Sequence, residues 1–199
     1  MTKLHIVGVS GGIGRPSRTT SLVNAVLREL ESLSGAPGRL FELCDVGPLL
    51  GAHMQRDELA AEGLSVLGAI ESADIIVAGT PVYKGSYTGQ FKHLFDLLDP
   101  NALVDVPVVL AATGGSDRHS LMTDHTLRPL FSFFRAHTVP TSLYATASQV
   151  DHDHVRDTGL RERIQVAARQ ALRLRGAPPK HHVLEPITPP RPVTLSSHS

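Results

Sequence analysis

Apolar residues fall along the chain in two kinds of pattern. Short unbroken runs occupy residues 4–10, 39–43, 74–79, 107–112 and 140–144. They are rich in Val, Ile and Leu and do not alternate with polar residues, which predicts parallel strands with both faces covered. Between them, apolar residues recur at helical spacing. Residues 19–33 set Leu22, Val23, Val26, Leu27 and Leu30 on one face, and residues 57–73 do the same with Leu59, Leu64, Leu67 and Ile70. Residues 88–98 carry Phe91, Leu94, Phe95 and Leu98 in an i, i+3, i+4, i+7 stripe. A fourth helix is expected over 120–136, bent at Pro129, and a fifth over 159–174 with Leu160, Ile164, Ala168, Ala171 and Leu172 inward.

Strands alternating with helices predict a doubly wound α/β fold, a five-stranded parallel sheet with helices on both faces. The strand order expected is 2-1-3-4-5, which puts a ligand crevice beyond the strand C-termini, where the first and third strands diverge. One domain is expected over residues 1–175. From 176 the composition changes: six of the chain's 14 prolines lie in 176–199, beside Ser196, Ser197 and Ser199. Such a segment makes neither regular helix nor central strand and is expected to be a tail, disordered or wrapped on a neighbouring subunit.

Composition narrows the function. The 199 residues carry 19 Lys plus Arg against 19 Asp plus Glu. That balance argues against nucleic-acid binding and against a polybasic membrane-surface protein. No apolar run approaches the roughly 18 residues of a membrane span, and residues 1–10 show no signal-peptide pattern. The one cysteine, Cys44, has no partner for an internal disulfide. A cytoplasmic protein is expected.

The candidate chemistry starts at "SGGIGRPSRTTSL", residues 10–22, a small-residue loop between the first strand and the first helix. A P-loop would end in Gly-Lys-Ser/Thr, and no lysine is present. A dinucleotide fingerprint would need a third glycine after Gly12-Ile13-Gly14, where Ser17 stands instead. "GGIG" is shared with short-chain dehydrogenases, but their Tyr-x-x-x-Lys is absent. What remains is a set of hydroxyls, Ser10, Ser17, Thr19 and Thr20, with Arg18 at the start of a helix. Backbone N–H groups, the helix dipole and a guanidinium suit a terminal phosphate dianion, so a phosphate monoester such as FMN fits better than a diphosphate bridge. The plain alternative is a serine-rich helix cap with no ligand.

Two further loops belong to the same edge of the sheet. "TPVYKGSYTGQFKHLFDLLD" follows the third strand, with a turn at Gly85, and "ATGGSDRHSLMTDHTLRPLFSFF" follows the fourth, with Gly114 and Gly115. On these three motifs the chain resembles the NADPH-dependent FMN reductases of flavodoxin-like fold. It resembles in particular the branch linked to methanesulfonate and alkanesulfonate monooxygenases. The resemblance covers about residues 3–174. It implies that Ser10, Ser17, Arg18 and Thr19 bind the FMN phosphate. It implies that Pro81, Val82, Tyr83, Lys84 and Ser86 lie along the isoalloxazine ring, and Thr113, Gly114 and Gly115 at its polar edge. The cofactors implied are FMN with NADPH or NADH. Hydride would pass from nicotinamide C4 to flavin N5 with no side-chain acid or base and no metal. The partner implied is a flavin-dependent monooxygenase that receives reduced FMN. In the alkanesulfonate branch a tyrosine in the fourth helix distorts it into a π-turn at the subunit interface. The matching position here is His125, as in the methanesulfonate branch, and the sequence leaves open whether His125 distorts the helix.

Individual residues carry further expectations. Lys84 is placed to favour the reduced flavin anion, Tyr83 to stack on flavin or nicotinamide, and His119 to touch either. Arg15 or Arg118 is available for a 2′-phosphate. "DHDH" at 151–154 is expected to be a polar turn or subunit contact, because four adjacent ligands in one loop do not all converge on a metal. "FSFF" at 131–134 points to an interface and hence a homodimer or homotetramer. An electron-carrying flavodoxin is a second reading, weakened by the lack of Trp and of acidic excess. A quinone, azo or metal-oxyanion reductase on the same fold is a third, and the sequence does not separate it from the first.

Overall fold

The structure is a computed structural model in which residues 4–176 are described. The proline-rich segment, after Gly176, lies outside the described residues. Strand β1 (Ile6–Ser10) leads into helix α1 (Arg18–Ser34), followed by β2 (Gly38–Glu42), α2 (Leu43–Leu50), α3 (Ala61–Glu71) and β3 (Ile75–Pro81). Then come α4 (Gly89–Asp96), β4 (Pro107–Thr113), a π-helical turn (Thr123–Leu127), α5 (Arg128–Phe133), β5 (His137–Thr138), β6 (Leu143–Ala145) and α6 (Thr158–Gly176). All strand pairs are parallel, in the order β2-β1-β3-β4-β5, with β6 also beside β4. The expected fold and strand order are those observed.

Alternate strand residues feed two cores. Val7, Val9, Ile76, Ala78, Val108, Leu110 and Ala112 face α2 to α5 on one side. Ile6, Ile75, Val77, Val109 and Ala111 face Leu22, Val26 and Leu30 of α1 and Ile164, Ala168 and Ala171 of α6 on the other. Burial on both faces is why the strand sequences are unbroken apolar runs.

Three elements differ from the sequence expectation. Helix α2 was not anticipated; it contains Gly47 and Pro48, both poor helix formers. Its burial of Leu43, Val46 and Leu50 against the core outweighs them. The third helix begins at Ala61, four residues later than the periodicity gave, after a 3₁₀ turn at Arg56–Glu58. The fifth strand is two pieces on one edge of β4. Pro140, which has no N–H to give, lies between them, and Thr141 N–H is taken by the Gln170 side chain at 3.0 Å.

The fourth helix departs further. Arg128 N–H reaches back five residues to the Thr123 carbonyl, so the turn is π-helical with His125 inside it. The question left open by the sequence is answered by the π-helical turn, which forms with His125 at this position. Two features account for the wide turn here. Pro129 has no N–H for the His125 carbonyl and its ring would crowd it in an α-helix. In addition, the Asp124 carboxylate holds Arg128 at 2.7 Å and accepts from the Ser142 hydroxyl at 3.3 Å.

Candidate functional site

Strand register brings three loops to one edge. Ser10 pairs with Gly79, Pro81 with Thr113, and Thr113 with Ala145, so β3, β4 and β6 end level and β1 ends two residues before them. Backbone bonds then knit the loops together: Gly11 N–H to Gly79 O at 2.7 Å, Val82 N–H to Thr113 O at 2.8 Å and Gly114 N–H to Ala145 O at 3.0 Å. Thr88, the cap of α4, also donates to the Gly11 carbonyl at 3.4 Å.

In the first loop, Ser17 is the N-cap of α1 and its hydroxyl oxygen accepts Thr20 N–H at 3.2 Å. A Cβ on Gly12 would lie 2.4 Å from that oxygen, so the chain passes too close to Ser17 for a larger residue. Arg18 is the first residue of α1 and makes no ion pair or side-chain hydrogen bond among the described residues. Arg15 is different: it bonds Glu42 at 2.6 Å and Asp45 at 2.8 Å. Those two carboxylates hold its guanidinium further into the charged state, Asp45 first. Of the two arginines considered for a 2′-phosphate, Arg15 is thus engaged, while Arg118 is exposed and makes no such contact among the described residues. Ser10 is fully buried, with its hydroxyl 2.8 Å from that of Thr20. Thr19 is buried as well, and its hydroxyl faces Thr113 and not the crevice.

The second loop is a tight hairpin turn. Tyr83 and Ser86 exchange backbone bonds of 2.8 and 3.1 Å, while Lys84 and Gly85 sit at φ 53° and 82°. Two successive left-handed residues define a type I′ turn, which Gly85 adopts freely and Lys84 only with strain. The turn carries Tyr83 and Lys84 outward, and Tyr83 is 49% exposed. Pro81, Val82 and Ser86 are half-buried behind it.

The third loop is held from beneath. The Tyr144 hydroxyl donates to the Ser116 carbonyl at 2.6 Å. A Cβ on Gly114 would lie 2.0 Å from that hydroxyl oxygen, so only glycine passes here. Burial pushes the Tyr144 phenol up from its ordinary pKa, and the nearby Asp117 adds to it, so it donates as a neutral group at neutral pH. Between the second and third loops lies a cleft of about 510 Å³ lined by Val82, Lys84, Gly85, Gly115, Ser116 and His119. That is within the size range of small-ligand sites. A second cleft of about 580 Å³ includes Arg56, Glu71, Asp96 and Asp99. There Arg56 is already paired with Glu71. Size does not separate the two clefts; the first is formed by two of the three loops gathered at the strand C-termini, and the second is not.

At 151–154, ligand atoms of Asp151, Asp153 and His154 lie within 4.8 Å of one another. The Asp151 carboxylate is occupied by the N–H groups of His154 and Asp153, which pull its pKa down to about 2, and by Arg156.

A family model described as NADPH-dependent FMN reductase matches residues 4–151. The chain belongs to this reductase family. It is 50% identical over 173 residues to the NADH-dependent FMN reductase SfnF of Pseudomonas fluorescens strain Pf0-1, covering 87% of this chain and 92% of the relative. It is 49% identical over 171 residues to an FMN reductase (NADPH) of Pseudomonas aeruginosa strain PAO1, covering 86% and 92%. Among solved structures, the apo form of an NADH:FMN oxidoreductase, EmoB, superposes with a TM-score of 0.74 at 29% identity, covering 87% of this chain and 89% of that one.

In this FMN reductase the sequence motifs located the three loops but not what holds them. Glu42, Asp45 and Tyr144 act on the loops from strands and helices remote in sequence. Nothing in their local pattern marks them. Ser116, which lines the cleft, follows Gly115 directly and was within reach of the glycine argument.

Proposed function

We propose that the three-loop edge binds FMN and nicotinamide nucleotide, and that this NAD(P)H-dependent FMN reductase hands reduced FMN to a separate flavin-dependent monooxygenase of organosulfur metabolism. The observation that carries the site is Arg18: a guanidinium unpaired among the described residues, at the N-terminus of α1, beside the Ser17 cap and a glycine-lined backbone. That arrangement fits a phosphate dianion. Ser10, Ser17, Arg18 and Thr19 make up the phosphate end, Ser10 and Thr19 acting through the backbone they fix. Pro81, Val82, Tyr83, Lys84 and Ser86 flank the ring, and Thr113, Gly114 and Gly115 its polar edge. FMN, when bound, supplies a ring that accepts hydride from the reduced nicotinamide. The chain's part is to stack and orient two rings, with Tyr83 and Lys84 on the exposed hairpin and His119 across the cleft.

Release of the flavin is supported by the ring surroundings, which offer one exposed tyrosine and no Trp. No helix among the described residues is long and apolar enough to cross a membrane, and a cytoplasmic setting is proposed. A homodimer or homotetramer is proposed from Phe133 and Leu121, which are 68% and 63% exposed on the π-turn and α5 region. Light scattering against the 21.4 kDa chain mass reads it directly. The activity is tested by steady-state oxidation of NADH and NADPH with FMN, FAD, riboflavin and a quinone as acceptors. FMN is expected to be preferred; a strong preference for the quinone would assign the chain to the third reading.

A further inference from the structure

One carboxylate links both ends of the first loop. Glu42 is the last residue of β2 and its side chain is 15% exposed. Its Oε1 accepts the Thr20 hydroxyl at 2.9 Å, and its Oε2 accepts Arg15 at 2.6 Å. Thr20 lies in the first turn of α1; Arg15 lies at the exposed tip of the loop. The Thr20 hydroxyl is also 2.8 Å from that of buried Ser10. Each hydroxyl has one proton to give. Thr20 gives its proton to Glu42, so Ser10 gives its own to Thr20. The Ser10 oxygen is then left as an acceptor, facing Gly12 N–H at 3.5 Å. Glu42 thus fixes a directed chain from Ser10 through Thr20, and at the same time anchors the loop tip through Arg15.

Exposed ion pairs contribute little to global stability. Arg15 is 55% exposed, and so is its second partner Asp45. What these bonds do restrict is the conformation of residues 11–17, whose glycines would otherwise leave it loose. They also cover the Glu42 charge next to a place meant for an anion.

We propose that Glu42 is a positioning residue for flavin phosphate: through Arg15 and the Thr20–Ser10 pair it presets the loop, without touching the ligand, and so sets the preference for FMN over riboflavin. This rests on the reading that the first loop holds the phosphate. Arg15 is then a strut, and Arg18 the cation that meets the ligand.

The test is a set of fluorescence titrations of FMN and of riboflavin against the wild type, Glu42→Gln, Arg15→Ala and the double variant. Thermal melts confirm that each folds, and kcat is measured at saturating FMN. Glu42→Gln is expected to weaken FMN binding about tenfold through lost preorganisation, to leave riboflavin within about twofold, and to raise KM for FMN without lowering kcat. Arg15→Ala removes one of the two arms of Glu42 and should lose no more than Glu42→Gln does, and the double variant should be no worse than Glu42→Gln, because Arg15 acts only as part of that brace. FMN binding that is unchanged or tighter in Glu42→Gln, or equal losses for both flavins, overturns the proposal. Losses that multiply in the double variant also overturn it, by making Arg15 a phosphate ligand in its own right. A wild type that binds FMN and riboflavin equally refutes the phosphate-loop reading itself, an outcome distinct from the others.

Discussion

The hydroxyl of Thr19 lies 2.6 Å from that of Thr113, joining the first turn of α1 to the last residue of β4. Both residues are buried, at 2% and 6% exposure. The bond ties the proposed phosphate end of the crevice to its proposed polar edge, so the two loops are positioned as one body. Thr113→Val leaves the Thr19 hydroxyl without this partner in a buried place, which costs about 1–3 kcal/mol. Urea denaturation should show that loss. Thr19→Val with Thr113→Val should recover part of it, since removing both partners is less costly than removing one.

Arg18→Ala should weaken FMN by about 1.5–3 kcal/mol, the usual worth of a hydrogen bond to a charged group. Riboflavin, which has no phosphate, should bind as before. Calorimetric titration of both ligands separates the cases: equal losses would mean that Arg18 serves the fold and not the ligand.

Gly114→Ala drives a methyl group onto the Tyr144 hydroxyl, 2.0 Å away. Tyr144 must then move and give up its bond to Ser116, and the third loop shifts with it. Because this loop is assigned to the ring and not to the phosphate, FMN and riboflavin should weaken together. A loss confined to FMN in the same titrations would contradict the assignment of the loop.

Acid should unfold the protein through specific carboxylates. Burial raises the Asp74 pKa, but the His5 N–H and Arg175 outweigh it and the net shift is downward. Asp45 is lowered chiefly by its bond to Arg15. A carboxylate lowered in the folded state stabilises it above the unfolded pKa, and that stabilisation is lost as pH falls through the folded value. Stability from these groups should therefore be level at neutral pH and decline below about pH 4. Urea midpoints between pH 7 and pH 3 should show a shallower acid decline for Asp74→Asn than for the wild type.

What the sequence revealed follows from where the physics is local. The runs that became β1, β3 and β4 were legible because they are buried on both faces, and α1, α4 and α6 because one face is. Helix α2 was not, since Gly47 and Pro48 are overridden by contacts with distant residues. The split of the last strand at Pro140 and the wide turn over Thr123–Leu127 depend on Gln170, Ser142 and Arg128, which meet only in the fold. The site followed the same rule. Gly114 could be singled out as a glycine, but its reason, the Tyr144 hydroxyl, is 30 positions away along the chain. Arg15 was available for a 2′-phosphate by its sequence alone, whereas in the fold Glu42 and Asp45 engage it.

FMN is expected to come and go at this edge as a substrate. A ring bound here as proposed would meet Pro81, Val82, Tyr83 and a glycine turn, and no tryptophan, since the chain has none. One missing aromatic partner forgoes about 0.5–1.5 kcal/mol, and each 1.4 kcal/mol is about tenfold in affinity. Micromolar binding is expected in place of nanomolar. The most direct measurement is the absorbance spectrum of the dialysed protein beside an assay of NADH and NADPH oxidation with added FMN. A largely colourless protein that turns over free FMN is expected. A stoichiometric yellow flavin that survives dialysis, with no reduction of added FMN, would contradict it and mark the chain as an electron carrier.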